Sequence, residues 1–376
     1  MKTFDVAIAG AGLIGGSIAW ELADEGLRVA LFDRQEPGRE ASWAGAGILS
    51  PAPENPGMIA SVEIGKASLA IYPEFVRRVE EASGKEAGFR PKGTLQALFS
   101  SDAREELSTI VALHHGLGLK AEALSAEDAR ELEPALSEDL EAAVLRPEEA
   151  SVDNRALTEA VIEAARRAGA EVFTGAEVQA IRKEGSRCTG LLLANGEGVD
   201  AKWTVIAAGS FCERIAEIGH SAPVKPAKGQ MLSLRAANAK IERVLWSDHI
   251  YLVPRNDGRI LAGATVEYVG FEKNVTAGAV EKLLGAAIEL VPELAKASIE
   301  EMWAGLRPDS ADHLPILGPA EAEGLLLATG HFRSGILLAP ITAQLMREWI
   351  TLGRVSVDWQ RFSPMRFSSA EAARHL

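Results

Sequence analysis

A glycine-rich turn between a short apolar run and a helix limits the fold more than any other feature of this sequence. Residues 4–9 (FDVAIA) predict a buried strand, and a G-x-G-x-x-G motif at 10–15 follows it directly. A helix is predicted over about 14–25, because apolar side chains recur there every four residues before a glycine. Residues 27–32 (LRVALF) predict a second strand, so the chain begins with a β-turn-α-β unit of a doubly wound parallel sheet.

The motif has the spacing of a nucleotide-binding turn. Gly10 allows the tight turn, Gly12 lets the backbone approach a pyrophosphate, and Gly15 lets the helix pack on the strand. The phosphates would lie at the helix N-terminus, with its free N–H groups and partial positive charge. Asp33 ends the second strand, where a carboxylate can accept hydrogen bonds from ribose hydroxyls. The motif alone does not separate FAD from NAD. Asp33 argues against a 2′-phosphate, although Arg34 follows it directly.

Length and charge exclude several classes of protein. The chain has 376 residues, of which 39 are basic and 53 acidic, for a net charge of −14. This length favours two closely packed domains, and a chain this acidic has no electrostatic reason to bind nucleic acid or an anionic membrane.

Cys188 and Cys212 have no metal-ligand or disulfide spacing, so we expect no metal site and a reducing cytoplasm. The apolar run at 6–20 contains too many glycines and has no cleavage pattern, so we reject a signal peptide.

Sheet-type segments fall in three separated blocks of the chain, with pieces of different character between them. Helices are predicted over 155–168, 277–290 (capped by Thr276) and 336–351; strands over 94–99, 170–173, 176–183, 188–194, 203–208 and 324–329; and hairpin turns at Asn195-Gly196 and around Asn256-Asp257-Gly258. The predicted fold is α/β: a discontinuous Rossmann-like nucleotide-binding domain (1–84, 151–222 and 307–376) and an inserted α+β substrate domain on an antiparallel sheet (85–150 and 223–306).

Four later segments identify the cofactor. The small-residue loop EASWAGAGIL (40–49) lets backbone lie against a flat ring. With IYLVPRNDGRILAGAT (250–265), WAGLRPDSADHLPILG (303–318) and GHFRSGILLAP (330–340), it makes the chain resemble, essentially end to end, the D-amino-acid oxidase superfamily. The last segment is most similar to the glycine oxidases of thiamine synthesis. The resemblance implies FAD, held non-covalently because neither cysteine lies near GLRPD.

By this resemblance, the FAD contacts come from the glycine turn, the ribose end, the small-residue loop, one adenine contact, a strand end and the C-terminal loop. The matching positions are Gly10, Gly12, Leu13, Ile14, Gly15, Asp33, Arg34, Ala41, Ser42, Ala46, Gly47, Ile48, Val178, Ala208, Gly209, Gly330, His331, Phe332, Arg333, Ser334, Gly335, Ile336 and Leu337. The helix after Gly335 would direct its positive end at the flavin C2 carbonyl.

Four residues are predicted to contact the substrate. Arg307 can grip a carboxylate with two charge-assisted hydrogen bonds, which a lysine cannot reproduce. The family's matching arginine has this role, and Tyr251 matches a tyrosine whose hydroxyl reaches the same carboxylate. His249 alternates with Tyr251 along one expected strand, where it would either order a water near the amine or pack as a core histidine. Arg333 resembles a second position near the substrate. Val266 and Ser334 stand where some glycine oxidases have methionine and asparagine, which leaves the fine substrate choice open.

The resemblance implies oxidation of glycine by hydride transfer to FAD, with O2 giving H2O2 and no assigned catalytic base. Sarcosine, a D-amino acid or proline as substrate remains open, as does a dehydrogenase that passes electrons to another carrier. A non-catalytic flavoprotein subunit would not need Arg307 and Tyr251 together, and a tRNA-modifying enzyme would need a basic stripe. The resemblance also suggests a homotetramer and transfer of the glycine imine to thiazole synthase.

Overall fold

The computed structural model describes residues 3–53, 56–218 and 222–367, so parts of the predicted domain ranges, at 1–2, 54–55, 219–221 and 368–376, lie outside the described residues. The strands, in chain order, are β1 (Thr3–Ala9), β2 (Val29–Phe32), β3 (Ile48–Leu49), β4 (Thr94–Leu98), β5 (Glu122–Ser125), β6 (Ala142–Arg146), β7 (Ala150–Ser151), β8 (Glu171–Phe173), β9 (Val178–Glu184), β10 (Arg187–Leu193), β11 (Gly198–Ile206), β12 (Val224–Arg235), β13 (Val244–Trp246), β14 (Tyr251–Pro254), β15 (Arg259–Gly263), β16 (Ser298–Ser310), β17 (Ile316–Pro319) and β18 (Leu325–Thr329).

The α-helices are α1 (Leu13–Asp24), α2 (Ala41–Ala44), α3 (Val62–Ser83), α4 (Ala103–Gly116), α5 (Ala126–Leu132), α6 (Asn154–Arg167), α7 (Ala277–Leu290) and α8 (Gly335–Leu352). Short 3-10 helices cover Pro56–Ser61, Gly209–Arg214, Pro292–Lys296, Gln360–Phe362 and Pro364–Phe367. Among the described residues, none of these helices combines the length and the apolar character needed to cross a membrane.

The first sheet places the glycine turn at its carboxyl edge. Its main strand order is β17-β18-β11-β1-β2-β8, and β1 pairs in parallel with β2 and β11. Strand β11 also pairs in parallel with β18, so the three separated blocks of sequence meet in one sheet. Helices α1, α3, α6 and α8 cover one face of this sheet around the core residues Ile8, Leu22, Val161 and Leu345. The predicted parallel sheet of a Rossmann-like fold is therefore confirmed.

The second sheet carries two of the predicted substrate residues, Arg307 and Tyr251. Its strand order is β16-β12-β15-β14-β13-β4-β6-β5, and most of its pairs are antiparallel. Strands β13 and β4 pair in parallel, which joins the piece of chain before residue 150 to the piece after residue 223. This arrangement agrees with an inserted α+β unit on an antiparallel sheet. The exact domain boundaries stay a prediction, and β16 runs through the proposed boundary at 307.

The local predictions differ from the structure in identifiable places. Asn195-Gly196 joins the antiparallel strands β10 and β11, and Thr276 caps α7 through its side chain, as predicted. Strand β11 begins at Gly198, earlier than the apolar run at 203 suggested. Two strands between residues 85 and 150, β5 and β6, were not predicted, nor was the 22-residue helix α3. The β5 strand is largely exposed and carries little periodic signal.

The placement of His249 on a strand is wrong. Trp246 at the end of β13 pairs with Tyr251 at the start of β14, and the Ser247 N–H donates to the Ile250 carbonyl at 2.8 Å. Residues 247–250 therefore form the hairpin loop between these strands, and His249 is an exposed residue of that loop. Alternation along β14 starts only at Tyr251, because the chain reverses direction just before it.

Candidate active site

The glycine turn is held so closely that two of its positions admit no side chain. Gly10 has a φ of +105°, and a Cβ there would lie 2.5 Å from the Ala207 carbonyl oxygen. A Cβ on Gly15 would overlap the Gly10 carbonyl oxygen, so α1 can approach the turn only with glycine at this position. The N-terminus of α1 follows directly, and its first turn carries no acidic residue. This geometry is that of an anion site formed by backbone N–H groups.

Asp33 fixes the turn from the neighbouring strand. Its carboxylate accepts hydrogen bonds from the Ala11 N–H at 2.9 Å and from the Gln35 N–H at 3.0 Å. Burial raises the pKa of Asp33, and these two N–H groups act in the opposite direction. Asp33 lines a cavity of about 510 Å³ beside Ala9 and Arg34. A ribose hydroxyl placed there would meet a carboxylate that is already oriented.

Aromatic and basic side chains close the far end of the same cavity. The Arg34 guanidinium lies 3.7 Å from the centre of the Phe211 ring and pairs with Glu40 at 2.5 Å. Lys273, which belongs to the connection after β15, reaches the same Glu40 at 3.0 Å. Phe271 packs on Phe211 with ring centres 5.0 Å apart. The connection between β15 and α7 therefore reaches back to the nucleotide end of the molecule.

The small-residue loop lies between the two sheets. The Leu13 N–H donates to Ser42 Oγ at 2.8 Å, which ties the loop to the start of α1. Gly47 has a φ of +73°, and a Cβ there would overlap the Val152 carbonyl oxygen. Sequence reasoning missed Arg255, whose buried guanidinium donates to the Ala46 and Val152 carbonyls at 2.9 and 3.1 Å. Its only sequence signal is an arginine four residues after Tyr251, within the segment already recognised.

The C-terminal loop turns tightly before α8. Phe332 has a φ of +47°, and its N–H donates to the Pro308 carbonyl at 2.8 Å. His331 is buried beside Thr342, and burial lowers the pKa of this imidazole to about 3. The imidazole therefore stays neutral, and its hydrogen-bond partner is the Thr342 hydroxyl. The first turn of α8 lines the cavity through Gly335 and Ile336 and has no acidic residue to cancel its dipole.

Arg307 and Tyr251 lie near each other, and two glycines of the second sheet leave room for their side chains. A Cβ on Gly229 of β12 would overlap the Arg307 guanidinium, and one on Gly263 of β15 would lie 3.0 Å from the Tyr251 ring. Arg307 Nη1 donates to the Thr265 carbonyl at 3.1 Å, which leaves further N–H groups for a ligand. Burial raises the pKa of Tyr251, and the Arg307 guanidinium opposes that shift.

One cavity of about 510 Å³ joins the glycine turn, the small-residue loop, the C-terminal loop and the pair Arg307 and Tyr251. It is lined by the predicted substrate residues Arg307, Tyr251 and Arg333 and by most predicted FAD contacts: Gly10, Gly12, Leu13, Ile14, Asp33, Arg34, Ala41, Ser42, Ala46, Gly47, Ile48, Val178, Ala208, Gly209, His331, Phe332, Ser334, Gly335, Ile336 and Leu337. Gly15 and Gly330 lie behind this lining, where they shape the backbone. His249 does not line it.

Sequence reasoning missed four polar residues in the same lining: Gln96, His114, Arg146 and Trp246. They come from β4, α4, β6 and β13, which are far apart in the sequence. They belong to four elements that are separate in the sequence, so no local pattern marks them as a group.

Known proteins share this architecture. The profile of the family described as FAD dependent oxidoreductase (DAO) matches residues 5–349. The bifunctional protein ThiO/ThiG of Synechocystis sp. is 37% identical over 97% of the chain, which spans only 54% of that relative. A glycine oxidase of Geobacillus kaustophilus is 34% identical, with 96% of this chain and 97% of the relative covered. The crystal structure of glycine oxidase from that organism superposes with a TM-score of 0.91 at 33% identity, covering 97% and 99% of the two chains.

The chain belongs to the DAO family of FAD-dependent oxidoreductases. The predictions of the family, of the fold class and of an FAD-dependent oxidoreductase are thus confirmed. The structure also fits the cofactor on its own terms, because Gly10 and Gly15 let α1 pack tightly on the turn and the turn residues Gly10, Gly12 and Leu13 line the cavity. The helix N-termini of α1 and α8 both open into the cavity. Neither cysteine lines it, and Cys188 and Cys212 are free and buried, which agrees with a non-covalent cofactor.

Proposed function

We propose that the protein catalyses the FAD-dependent oxidative deamination of glycine or a similar small amine. The balanced reaction is glycine, O2 and water giving glyoxylate, ammonia and H2O2. The observation that supports it is the placement of Arg307 and Tyr251 in the cavity that also holds the nucleotide turn. The glycine oxidases and ThiO/ThiG proteins among its relatives support the same substrate.

Arg307 binds the substrate carboxylate. The guanidinium is half-buried on β16 and is held by the Thr265 carbonyl at 3.1 Å, so its orientation is set before the ligand arrives. Tyr251 stands opposite and donates its hydroxyl to the same carboxylate, in exchange for its contact with Met231 Sδ at 3.2 Å. This anchoring positions the α-carbon and accounts for most of what the protein itself must do. FAD, when bound, accepts the two electrons and the hydrogen removed from the substrate.

No charged side chain is needed to remove the amine proton if the amine enters neutral. His331 is a weak base in this site, because burial lowers the pKa of its imidazole to about 3. Arg333 and Arg307 are cations that disfavour an ammonium group beside them. The site therefore favours the neutral amine, whose lone pair is required for the oxidation, and we assign no catalytic base.

A panel of amines tests this proposal. The purified yellow protein is incubated with glycine, sarcosine, D-alanine and D-proline, and peroxide is measured in parallel with reduction of an artificial dye. We expect glycine or sarcosine to give peroxide with the highest kcat/KM. Dye reduction without peroxide would identify a dehydrogenase, and no turnover of any of the four amines would refute the proposal.

The product imine suggests a partner. A relative that bears the name of a ThiO/ThiG fusion leads us to propose that the imine of glycine passes to a thiazole synthase. The two free, buried cysteines are compatible with a reducing cytoplasm, which we propose as the location. We also propose that the protein forms a homo-oligomer, as the family resemblance suggests.

A further inference from the structure

A buried arginine stands directly behind the small-residue loop at 40–49. Arg255 follows the last residue of β14, and its side chain is only 4% exposed. Arg255 is absent from the cavity lining, whereas Ala46 and Gly47 of the loop belong to that lining. A buried charge is unfavourable unless oxygen atoms surround it, so the partners of Arg255 show what its guanidinium holds in place.

Three uncharged oxygen atoms accept hydrogen bonds from this guanidinium. They are the carbonyl oxygens of Ala46 and Val152, at 2.9 and 3.1 Å, and Asn154 Oδ1, at 2.7 Å. Val152 and Asn154 lie at the start of α6, so Arg255 connects β14 both to α6 and to the loop. The hydrogen bond to Ala46 is the one that reaches the cavity lining.

The positive charge of Arg255 is only partly neutralised. Its ion-pair partner within the described ranges is Asp153, whose Oδ2 lies 3.8 Å from Arg255 Nε. The same oxygen is 3.8 Å from Arg259, so one carboxylate serves two guanidinium groups. Burial lowers the pKa of Arg255 to about 10, which leaves the group charged at neutral pH. Its field therefore favours negative charge in the neighbouring cavity.

Other side chains hold the loop from outside the cavity. Asn154 Nδ2 donates to the carbonyls of Ser42 and Trp43 at 2.7 and 3.1 Å. Trp303 Nε1 donates to the carbonyl of Ala44 at 3.0 Å. Neither Asn154 nor Trp303 lines the cavity, so these carbonyl oxygens are directed towards groups behind its wall. The orientation of the loop's peptide groups is thus set by side chains of α6 and of the second sheet.

The Ala46–Gly47 peptide is oriented so that its N–H faces the cavity. In a trans peptide the carbonyl of one residue and the N–H of the next point in opposite directions. Arg255 draws the Ala46 carbonyl outwards, so the Gly47 N–H points the other way, into the cavity that Gly47 lines. Within the described part of the chain this N–H donates to no protein group, whereas the N–H groups of residues 43–45 donate to carbonyls inside the loop. The Gly47 N–H is therefore a donor available to the cofactor.

The charge on Arg255 strengthens this donor. A charge-assisted hydrogen bond to the Ala46 carbonyl polarises the whole peptide group, so its N–H becomes a better donor on the opposite side. The peptide is fixed on both sides, because the Gly47 carbonyl accepts from the Val152 N–H at 2.8 Å. A hydrogen bond to a charged acceptor is stronger than one to a neutral acceptor, and FAD takes up electrons when it is reduced. The arrangement therefore favours reduced FAD over oxidised FAD.

We propose that Arg255 is a positioning residue that raises the reduction potential of the flavin by polarising the Ala46–Gly47 peptide towards it. Arg255 does not line the cavity and acts through that peptide. The inference goes beyond the proposed oxidation of glycine, because the potential is a property of the FAD-loaded protein without any amine. A protein that turned over none of the four amines would refute the proposed function and leave this measurement intact.

The ratio of the affinities for reduced and oxidised FAD tests the assignment. The FAD-loaded protein is reduced in the presence of a reference dye of known potential, and the dissociation constant of oxidised FAD is titrated separately. We expect Arg255→Met to lower this ratio at least about tenfold, which corresponds to a potential lower by about 30 mV for a two-electron couple. Arg255→Lys keeps the charge and should lower the ratio less than about threefold. An unchanged ratio in Arg255→Met would overturn the inference.

Arg259→Met is the matched control. Arg259 lies on β15 of the same hairpin, is 3.8 Å from the same Asp153 oxygen, and donates to Asp257 at 2.7 Å instead of to the loop. We expect the ratio to change less than about twofold in this variant. Equal shifts in Arg255→Met and Arg259→Met would show that a charge acts from a distance and not through the peptide, which would contradict the proposal.

Asp153→Asn tests the same charge in the opposite direction and covers the case in which Arg255→Met does not fold. Asparagine keeps the N-cap of α6, because its side-chain oxygen can accept from the N–H groups of Arg155 and Ala156, as Asp153 does at 3.0 and 3.1 Å. The variant removes the carboxylate that partly neutralises Arg255, so we expect the ratio to rise at least about twofold. A purely structural role would lower the thermal midpoint without raising the ratio. No rise in a folded Asp153→Asn protein would therefore overturn the inference.

Discussion

At the nucleotide end of the cavity, backbone atoms approach so closely that Gly10 and Gly15 have no room for a Cβ, whereas the other end is lined by the side chains of Arg307, Tyr251 and Arg333. The first region is preorganised by main chain and fits one large ligand. The second is formed by side chains from separate elements, β14, β16 and the loop before α8, and only one Arg307 hydrogen bond, to the Thr265 carbonyl, holds its guanidinium among the hydrogen bonds described above. The difference suggests that the protein holds its cofactor by shape and selects its substrate by polar groups.

The largest expected effect comes from Gly15→Ala. The added Cβ overlaps the Gly10 carbonyl, so α1 must move away from the turn that receives the phosphates. We expect FAD affinity to fall by at least about 100-fold, measured as the flavin content of the purified protein and by titration with FAD. The control is Gly285→Ala in α7, where a Cβ meets nothing within 4 Å. A yellow, fully loaded Gly15→Ala protein would show that shape at this turn does not hold the cofactor.

Tyr251→Phe tests the side-chain region by itself. Loss of one hydroxyl that donates to a carboxylate should raise KM for glycine about tenfold and leave the FAD content unchanged. Tyr268→Phe is the matched control, because the Tyr268 hydroxyl donates to Asp309 at 2.6 Å and Tyr268 does not line the cavity. Equal kinetics in the two variants would remove Tyr251 from the substrate site.

His331→Asn tests how the stability of the folded protein depends on pH. Burial lowers the pKa of folded His331 to about 3, against 6.5 as the reference value for the unfolded chain. The unfolded chain therefore binds more protons between these values, and the folded state loses stability as the pH falls through this window. Removing the imidazole should flatten the pH dependence of the free energy of unfolding by up to about 1.4 kcal/mol per pH unit. The change is followed through the thermal midpoint of the two proteins at each pH. The gap between the two proteins should be constant above pH 7, and a parallel offset at every pH would contradict the shifted pKa.

The smallest effect is expected from His249→Ala. His249 is exposed in the β13–β14 hairpin loop and does not line the cavity. We expect kcat and KM for glycine to change less than twofold in steady-state assays. A loss of tenfold or more would mean that the loop folds inward when substrate binds.

Predictability from sequence follows the same division. The nucleotide turn is a local object: strand, glycines, helix and Asp33 follow one another within 31 residues, and the structure places them as the spacing predicted. Arg307 and Tyr251 were identified through their segments, because a resemblance carries information that spacing alone does not. The roles of the individual site residues remain predictions until the variants above are measured.

The rest could not be found from sequence for physical reasons. Gln96, His114, Arg146 and Trp246 meet only because β4, α4, β6 and β13 pack together, and no short pattern records a contact made by tertiary pairing. His249 was misplaced because alternation along a strand does not reveal where a hairpin turns. Arg255 gave no sign of burial, since the three oxygens that receive its hydrogen bonds belong to other segments.

The central claim is that Arg307 presents small amino acids, carboxylate first, to a flavin in the same cavity. Anaerobic titration of the yellow protein with acetate, which cannot be oxidised as an amine, tests it directly through the flavin absorbance. We predict a saturable spectral change in the wild type and a dissociation constant at least about 30-fold weaker in Arg307→Ala at equal FAD content. An identical titration of both proteins, or a wild type that takes up no FAD, would contradict the account.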